Sequence, residues 1–311
     1  MSRKGKYIPV MITPFKENKE IDYKQLTALT EFYLNAGAKG LFANCLSSEM
    51  FELSEEERIQ ITRHVVDVAA GAVPVVSTGT FGGEISKQAD FVKKIHEAGA
   101  DAVIAITSLL AAENESDDVL DARVAELIER TETVPLGFYE CPVPYKRVLS
   151  PEQLKKYVDT GRVVYHKDTS LDIASVTRKV QLTEGQSFEL YDAYMVNAVS
   201  SQVAGAAGLS CIQGNFVPEL VVWICDHFAD AAKQKEVDIV QRFFVDNMDV
   251  MHHVYPIIAK YFLQKRGFDI GLATRRDVGV FTPEIARDLD AFYDRYQALK
   301  AEIGLTDIQF A

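Results

Sequence analysis

The sequence lacks what would tie it to a membrane, a polyanion or an oxidising compartment. No apolar run approaches the ~20 residues that a bilayer-spanning helix needs. The basic opening Met1–Lys6 is followed only by Tyr7–Thr13 before Pro14, too short and too polar for the core of a secretory signal. Basic residues are in deficit, 33 Lys and Arg against 45 Asp and Glu for a net charge of −12. Such a chain has no broad cationic face with which to displace counterions from nucleic acid, although a local patch could still hold a small anion. Its 4 cysteines, Cys45, Cys141, Cys211 and Cys225, are far apart and include no C-x-x-C pair. They read as reduced thiols rather than as a disulfide framework. These absences predict a cytoplasmic protein with no nucleic-acid partner and no membrane partner.

What is present is the composition of an ordinary globular chain, 48% apolar and 25% charged over 311 residues. Short apolar runs alternate with amphipathic stretches, the rhythm of repeated βα units. Eight strand candidates follow one another: Tyr7–Thr13, Gly40–Asn44, Pro74–Thr78, Asp101–Ile106, Val134–Tyr139, Arg162–Lys167, Phe188–Asp192 and Ala207–Cys211. Each precedes a plausible helix, at the spacing of a βα repeat. Three helix ends share one joint, Ala36-Gly37-Ala38, Ala98-Gly99-Ala100 and Ala204-Gly205-Ala206, in which glycine turns the chain tightly into the next strand. Asp22, Ser54 with Glu57, and Ser150 before Pro151 carry helix-start signals. After Cys211 the strands stop, and Phe216–Ala232, Gln234–Arg266 and Pro283–Ile303 read as helical around a loop over Gly267–Gly279. The predicted fold is α/β, a (β/α)8 TIM barrel over residues 1–232 with a C-terminal helical extension over 233–311, packed as one structural domain.

Reactive groups of such a barrel gather where strands end and βα loops begin. Lys167 ends the sixth strand, and the period of two gives Val163, Tyr165 and Lys167 a common face. If that face is the inner one, the amine is partly desolvated, which lowers its pKa and frees it to attack a carbonyl. The competing reading pairs it with a carboxylate, Asp168 being adjacent. Tyr139 ends the fifth strand, where a phenol can relay protons to and from a carbinolamine and an enamine. Alone it would as readily fill the barrel mouth. A metal centre is the rival chemistry, because Cys45, Cys141, Cys211 and His166 all fall near strand ends. The same period of two turns His166 away from Lys167, and buried thiols are commoner than ligands, so no metal and no cofactor is expected.

Six pieces occur in order: Ile12-Thr13-Pro14-Phe15; Leu53-Ser54-Glu55-Glu56-Glu57-Arg58; Ala98-Gly99-Ala100-Asp101-Ala102; Tyr139 with Pro142; Lys167-Asp168-Thr169-Ser170; and Gly205-Ala206-Ala207-Gly208 followed by Asn215 and Pro218. At these spacings the sequence resembles the dihydrodipicolinate synthase / N-acetylneuraminate lyase family of class I aldolases over nearly its whole length. The resemblance implies that Lys167 forms a Schiff base with pyruvate or another 2-oxo acid, and that Tyr139 shuttles protons. It implies that Ser47 and Ser48, in the loop Cys45–Glu49, hold the substrate carboxylate, and that Ser210 and Cys211 edge the pocket. Asp192 falls where sugar-acid lyases hold substrate hydroxyls, or it caps a helix. A homotetramer or homodimer is implied as well.

The departures from that family are equally specific. A relay threonine is Leu46 here, the paired tyrosines after the fourth strand are Leu109 and Leu110, an arginine that grips a second carboxylate is Pro144, and an asparagine is Glu140. They argue against true dihydrodipicolinate synthase activity while leaving imine formation intact. They also suggest a more apolar outer pocket and a less polar aldehyde partner than aspartate semialdehyde. A 2-oxo-3-deoxy acid dehydratase shares the imine and enamine steps and stands as one alternative. A non-catalytic, oxo-acid-binding barrel is the other.

Overall fold

The computed structural model describes residues 3–306 and 308. Met1 and Ser2 of the basic opening, and Asp307 and Gln309–Ala311 of the predicted extension, lie outside the described residues. Eight parallel strands form a single sheet: β1 (Lys6–Tyr7), β2 (Leu41–Phe42), β3 (Val75–Thr78), β4 (Ala102–Ile106), β5 (Leu136–Tyr139), β6 (Val163–Asp168), β7 (Glu189–Asp192) and β8 (Gly208–Leu209). The order is β1-β8-β7-β6-β5-β4-β3-β2. A parallel bridge between Val10 and Phe42 closes the ends into a barrel, with Met11 N donating to Phe42 O (3.1 Å) and Phe42 N to Pro9 O (3.0 Å). Every strand candidate overlaps its strand, with β1 starting one residue earlier, at Lys6, and β6 running one residue further, to Asp168.

Each strand is followed by a helix: α1 (Tyr23–Asn35), α2 (Glu55–Ala69), α3 (Ile85–Glu97), α4 (Asp117–Arg130), α5 (Pro151–Val158), α6 (Ile173–Leu182), α7 (Ala198–Ala204) and α8 (Pro218–His227). The expected starts are present. Ser54 and Glu57 close a reciprocal box on α2, Ser150 and Gln153 do the same on α5, and Asp22 accepts from Gln25 N at the head of α1. At the shared joint, Gly99 (φ 104°) and Gly205 (φ 118°) hold positive φ. A β-carbon there would stand 2.8 Å from Val66 and 2.6 Å from Val180, so conformation and space both require glycine.

The predicted helix Gln234–Arg266 is two helices, α9 (Gln234–Asp246) and α10 (Ile257–Lys265), followed by α11 (Pro283–Glu302). Pro256 is the reason for the break, since it has no amide to donate and disfavours helical backbone at Tyr255 before it. A 3-10 turn at Asp249–Met251 and a positive φ at Val254 take up the change of direction. Phe244, Phe262, Phe292 and Tyr296 of the added helices share one apolar cluster with Leu29 and Phe32 of α1 and Leu220 of α8.

The sheet separates two environments. Ile104, Tyr139, Tyr165 and Tyr191 fill the barrel, whereas Val103, Phe138, Val163 and Leu190 pack outward among the helices. Val163 thus lies on the opposite face from that predicted. The ladder between β5 and β6 slips between Leu136 and Gly137, pairing Leu136 with Val163 but Gly137 with Tyr165. The extra residue, Val164, resets the alternation, as a bulge does. Tyr165 and Lys167 consequently point inward, and His166 and Asp168 outward.

Candidate active site

Lys167 is 4% exposed, and its Nζ stands 4.2 Å from the ring centroid of Tyr139 on the adjacent strand and 5.9 Å from that of Phe42. The register sets Tyr139 directly beside Lys167. Burial lowers the pKa of the Lys167 amine, and the thiols of Cys45, Cys141 and Cys211 are near enough to oppose that shift weakly. Burial also lifts the Tyr139 phenol well above its ordinary value, so that it is held as the neutral acid. An amine inclined to be neutral and a phenol inclined to keep its proton therefore meet in one apolar mouth.

The competing reading, an ion pair between Lys167 and Asp168, fails on geometry. Asp168 leaves the outer face of β6, where its Oδ2 accepts from Lys179 Nζ of α6 at 2.6 Å. The same ammonium donates to Glu140 Oε1 at 2.6 Å, and His166 Nε2 lies 3.2 Å from that oxygen. All four side chains are fully buried. Burial opposes the positive charge on His166 and Lys179, but the two carboxylates outweigh it and raise both pKa values. Glu140 also accepts from Leu149 N and Thr169 N, each at 3.0 Å. Glu140, His166 and Asp168 offer oxygen and nitrogen atoms within 4.8 Å of one another, a spacing that suits a cation, and Lys179 supplies that cation.

On the inner side a cavity of about 500 Å³ opens at the carboxyl ends of the strands. Lys167, Tyr139, Ser47, Ser210 and Cys211 all line it. Ser47 sits in a 3-10 turn, Leu46–Ser48, and Ser210 Oγ accepts from Tyr165 OH at 3.2 Å. Leu46, Ile212 and Met248 give the walls an apolar character.

Two predicted binding residues are not brought to this cavity. Ser48 turns its hydroxyl into the backbone, donating to Met11 O (2.6 Å) and accepting from Cys45 N (3.0 Å), and so shapes the loop that presents Ser47. Asp192 ends β7 on its outward face, the face of Leu190, and its Oδ1 accepts from Tyr194 N at 2.8 Å. It closes a tight turn onto its own backbone after β7, and burial pushes its pKa up to about 7. The leucines after β4 lie elsewhere too. Leu110 packs among the helices, and Leu109 lines a separate depression.

Several lining residues were not foreseen. Lys146, near the missing arginine, reaches the wall and donates to Thr169 O at 2.8 Å, whereas Arg147 turns away to Asp117. Tyr255, at the Pro256 break, and Arg276, in the loop before α11, enter from the added segment. Glu49 anchors that loop, with one carboxylate oxygen accepting from the amides of Arg275 (2.6 Å) and Arg276 (2.9 Å). Its other oxygen faces Lys260 Nζ at 3.4 Å. Only the proline hinted at any of this, since a broken helix must put its intervening residues somewhere.

The sequence model of the Dihydrodipicolinate synthetase family matches residues 3–293. Among curated proteins, the chain is 23% identical over 267 residues to the 4-hydroxy-tetrahydrodipicolinate synthase of Oceanobacillus iheyensis, covering 86% of this chain and 89% of that one. It is 24% identical over 268 residues to the enzyme of the same name from Bacillus subtilis, covering 86% and 91%. Among solved structures, dihydrodipicolinate synthase DapA-2 of Bacillus anthracis superposes with a TM-score of 0.83 at 22% identity, covering 94% of this chain and 99% of that one. YagE of Escherichia coli, a prophage protein of the dihydrodipicolinic acid synthase family solved in complex with pyruvate, gives 0.83 at 20% identity, covering 95% and 98%.

Proposed function

Since this chain belongs to the Dihydrodipicolinate synthetase family, an aldolase-type lyase family of class I, we propose that Lys167 condenses with pyruvate or another 2-oxo acid and that Tyr139 moves the protons. The observation that carries this reading is the Lys167 amine itself: buried, bonded to no carboxylate among the described residues, and 4.2 Å from a phenol ring in a cavity at the barrel mouth. The pyruvate named for the E. coli relative supports the same class of ligand.

The chemistry follows from the two environments. The neutral amine adds its lone pair to the C2 carbonyl, and the carbinolamine loses water to give a protonated imine. That positive nitrogen draws electrons from C3, so a C3 proton can leave and an enamine forms. The enamine carbon attacks an aldehyde, and the reverse sequence cleaves the aldol. Tyr139, neutral because it is buried, donates to the carbinolamine oxygen as water departs, and the resulting phenolate takes the C3 proton as the enamine forms. Ser47, Ser210 and Cys211 border the bound oxo acid. The apolar wall of Leu46, Ile212 and Met248 suits a partner aldehyde less polar than aspartate semialdehyde. Asp192 and Ser48 have no part in binding in this scheme. We read the assembly as a homotetramer or homodimer, which sedimentation at micromolar concentration measures directly.

The test is borohydride reduction in the presence of pyruvate, followed by intact mass and peptide mapping. The expected product carries one reduced pyruvate on Lys167, and Lys167→Ala carries none. An adduct absent from the native protein, or one mapped to another lysine, refutes the proposal. Turnover on a panel of 2-oxo acids with aldehydes, and on 2-oxo-3-deoxy acids, then separates aldol chemistry from dehydration and from binding without turnover.

A further inference from the structure

One wall of the cavity comes from chain that the barrel itself does not supply. Tyr255 lies between the turn at Asp249–Met251 and α10, with its ring against Phe216. Its phenol oxygen accepts from Asn215 Nδ2 at 2.6 Å. The orientation of that amide is forced, because Asn215 Oδ1 already accepts from Tyr33 OH at 2.6 Å while Nδ2 also donates to Val10 O at 2.9 Å. Asn215 can only donate to Tyr255, and the phenol's own proton is left for the cavity. Ser47 lines the same wall of the cavity.

Arg276 stands beside this pair, its Nη2 3.5 Å from the carbonyl oxygen of Tyr255. Its guanidinium is half-buried and makes no ion pair with any carboxylate among the described residues. The acidic groups nearby are otherwise disposed. Glu49 is taken up by Lys260 and two amides, Glu52 interacts with Arg276 only at longer range, and Asp249 borders the cavity without pairing. A guanidinium stripped of part of its water and facing an apolar wall gains most from a planar anion that accepts two of its N–H bonds.

We propose that Arg276 and Tyr255, together with Ser47, grip the carboxylate of the 2-oxo acid, so that the C-terminal segment selects 2-oxo acids over uncharged ketones. Three donors from two distant parts of the chain then converge on one carboxylate, and the adjacent C2 carbonyl is turned towards Lys167. This rests on the Schiff-base reading of Lys167 and adds the recognition element that reading lacks.

The experiment compares pyruvate with acetone, which can form the same imine but has no carboxylate. Borohydride trapping on Lys167 is measured against carbonyl concentration for the native chain, Arg276→Gln and Tyr255→Phe. Arg276→Gln is expected to raise the half-saturating pyruvate concentration at least about tenfold, the loss of a charge-assisted bond, and Tyr255→Phe to raise it less. Acetone trapping should be the same in all three chains. Half-saturation for pyruvate within twofold of native in Arg276→Gln overturns the proposal. Parallel losses for pyruvate and acetone overturn it too, because they report a disturbed cavity. If the native chain traps no pyruvate, the Schiff-base reading is what fails. Calorimetric titration with pyruvate then decides the inference alone: binding weakened by Arg276→Gln supports it, and binding unchanged by that variant overturns it.

Discussion

Replacing Lys179 with methionine removes one charge from the buried group behind the active strands and leaves the side-chain volume nearly unchanged. In the native protein one ammonium is shared by two carboxylates, at 2.6 Å from each. Without it, Glu140 and Asp168 remain buried with only His166 between them. Breaking a buried pair by removing one partner costs about 3–5 kcal/mol, and two carboxylates lose their partner here, so the upper end applies. A domain of this size shifts its melting temperature by roughly 2 °C per kcal/mol, which gives a fall of about 8–10 °C at neutral pH. The deficit should depend on pH with a definite sign. Burial works against the charge on Asp168 and the Lys179 ammonium helps hold its pKa down; with that ammonium gone its folded pKa rises towards and above the unfolded one, so the folded state binds more protons and loses stability as pH rises. Calorimetric melts of native and Lys179→Met from pH 5 to pH 8 measure this. The gap should be widest at pH 8 and shrink towards pH 5, and Lys179→Met with Glu140→Gln should recover part of the loss. A deficit below about 1 kcal/mol, or one that is flat with pH, would show that the group does not carry the charges assigned to it. The barrel mouth should register the change as well, because Glu140 follows Tyr139 and Asp168 follows Lys167.

Two further outcomes follow from the site. Tyr139→Phe should still form the Lys167 adduct but exchange the methyl protons of pyruvate with deuterated solvent at least about 10²-fold more slowly, as followed by proton NMR; exchange at the native rate would remove Tyr139 from proton transfer. Asp192, whose pKa burial pushes up to about 7, contributes stability only while protonated; that contribution is complete below its unfolded value near 4 and is lost as pH climbs through about 7. Asp192→Asn should therefore melt higher than native at pH 8 with unaltered pyruvate trapping, and a variant that melts lower at pH 8 or traps pyruvate poorly would return Asp192 to substrate binding.

The eight strands were legible because each couples a buried apolar run to a glycine joint or a capping residue, and these are local signals. Lys167 and Tyr139 were legible because strand ends can be read from such runs. Lys167 shares the inner face with Tyr165 but not with Val163, and alternation by two cannot reveal the extra residue at Val164. Residues joined over long distances in the chain stayed hidden. Lys179 reads as an ordinary solvated helix lysine until α6 is laid against two carboxylates on the neighbouring strand ends. Arg276 reads as loop, and only its tether to Glu49, 227 positions earlier, gives it a direction. Asp192 stayed open between a substrate contact and a helix cap, because a strand-end carboxylate looks alike from sequence whether it faces the barrel or the helices.

The tether at Glu49 also constrains how the molecule can come into being. A ribosome delivers residues 6–209, and with them the eight strands, before the chain that satisfies this carboxylate exists. Until Lys260, Arg275 and Arg276 emerge, the loop after β2 holds a buried charge without a counterpart, and one side of the mouth stands open. A nascent barrel therefore closes its sheet while one wall of its cavity is still to come. Shortening the gene to its repeated units would preserve that unfinished stage, with Lys167 in place and the wall of Tyr255 and Arg276 missing from its cavity.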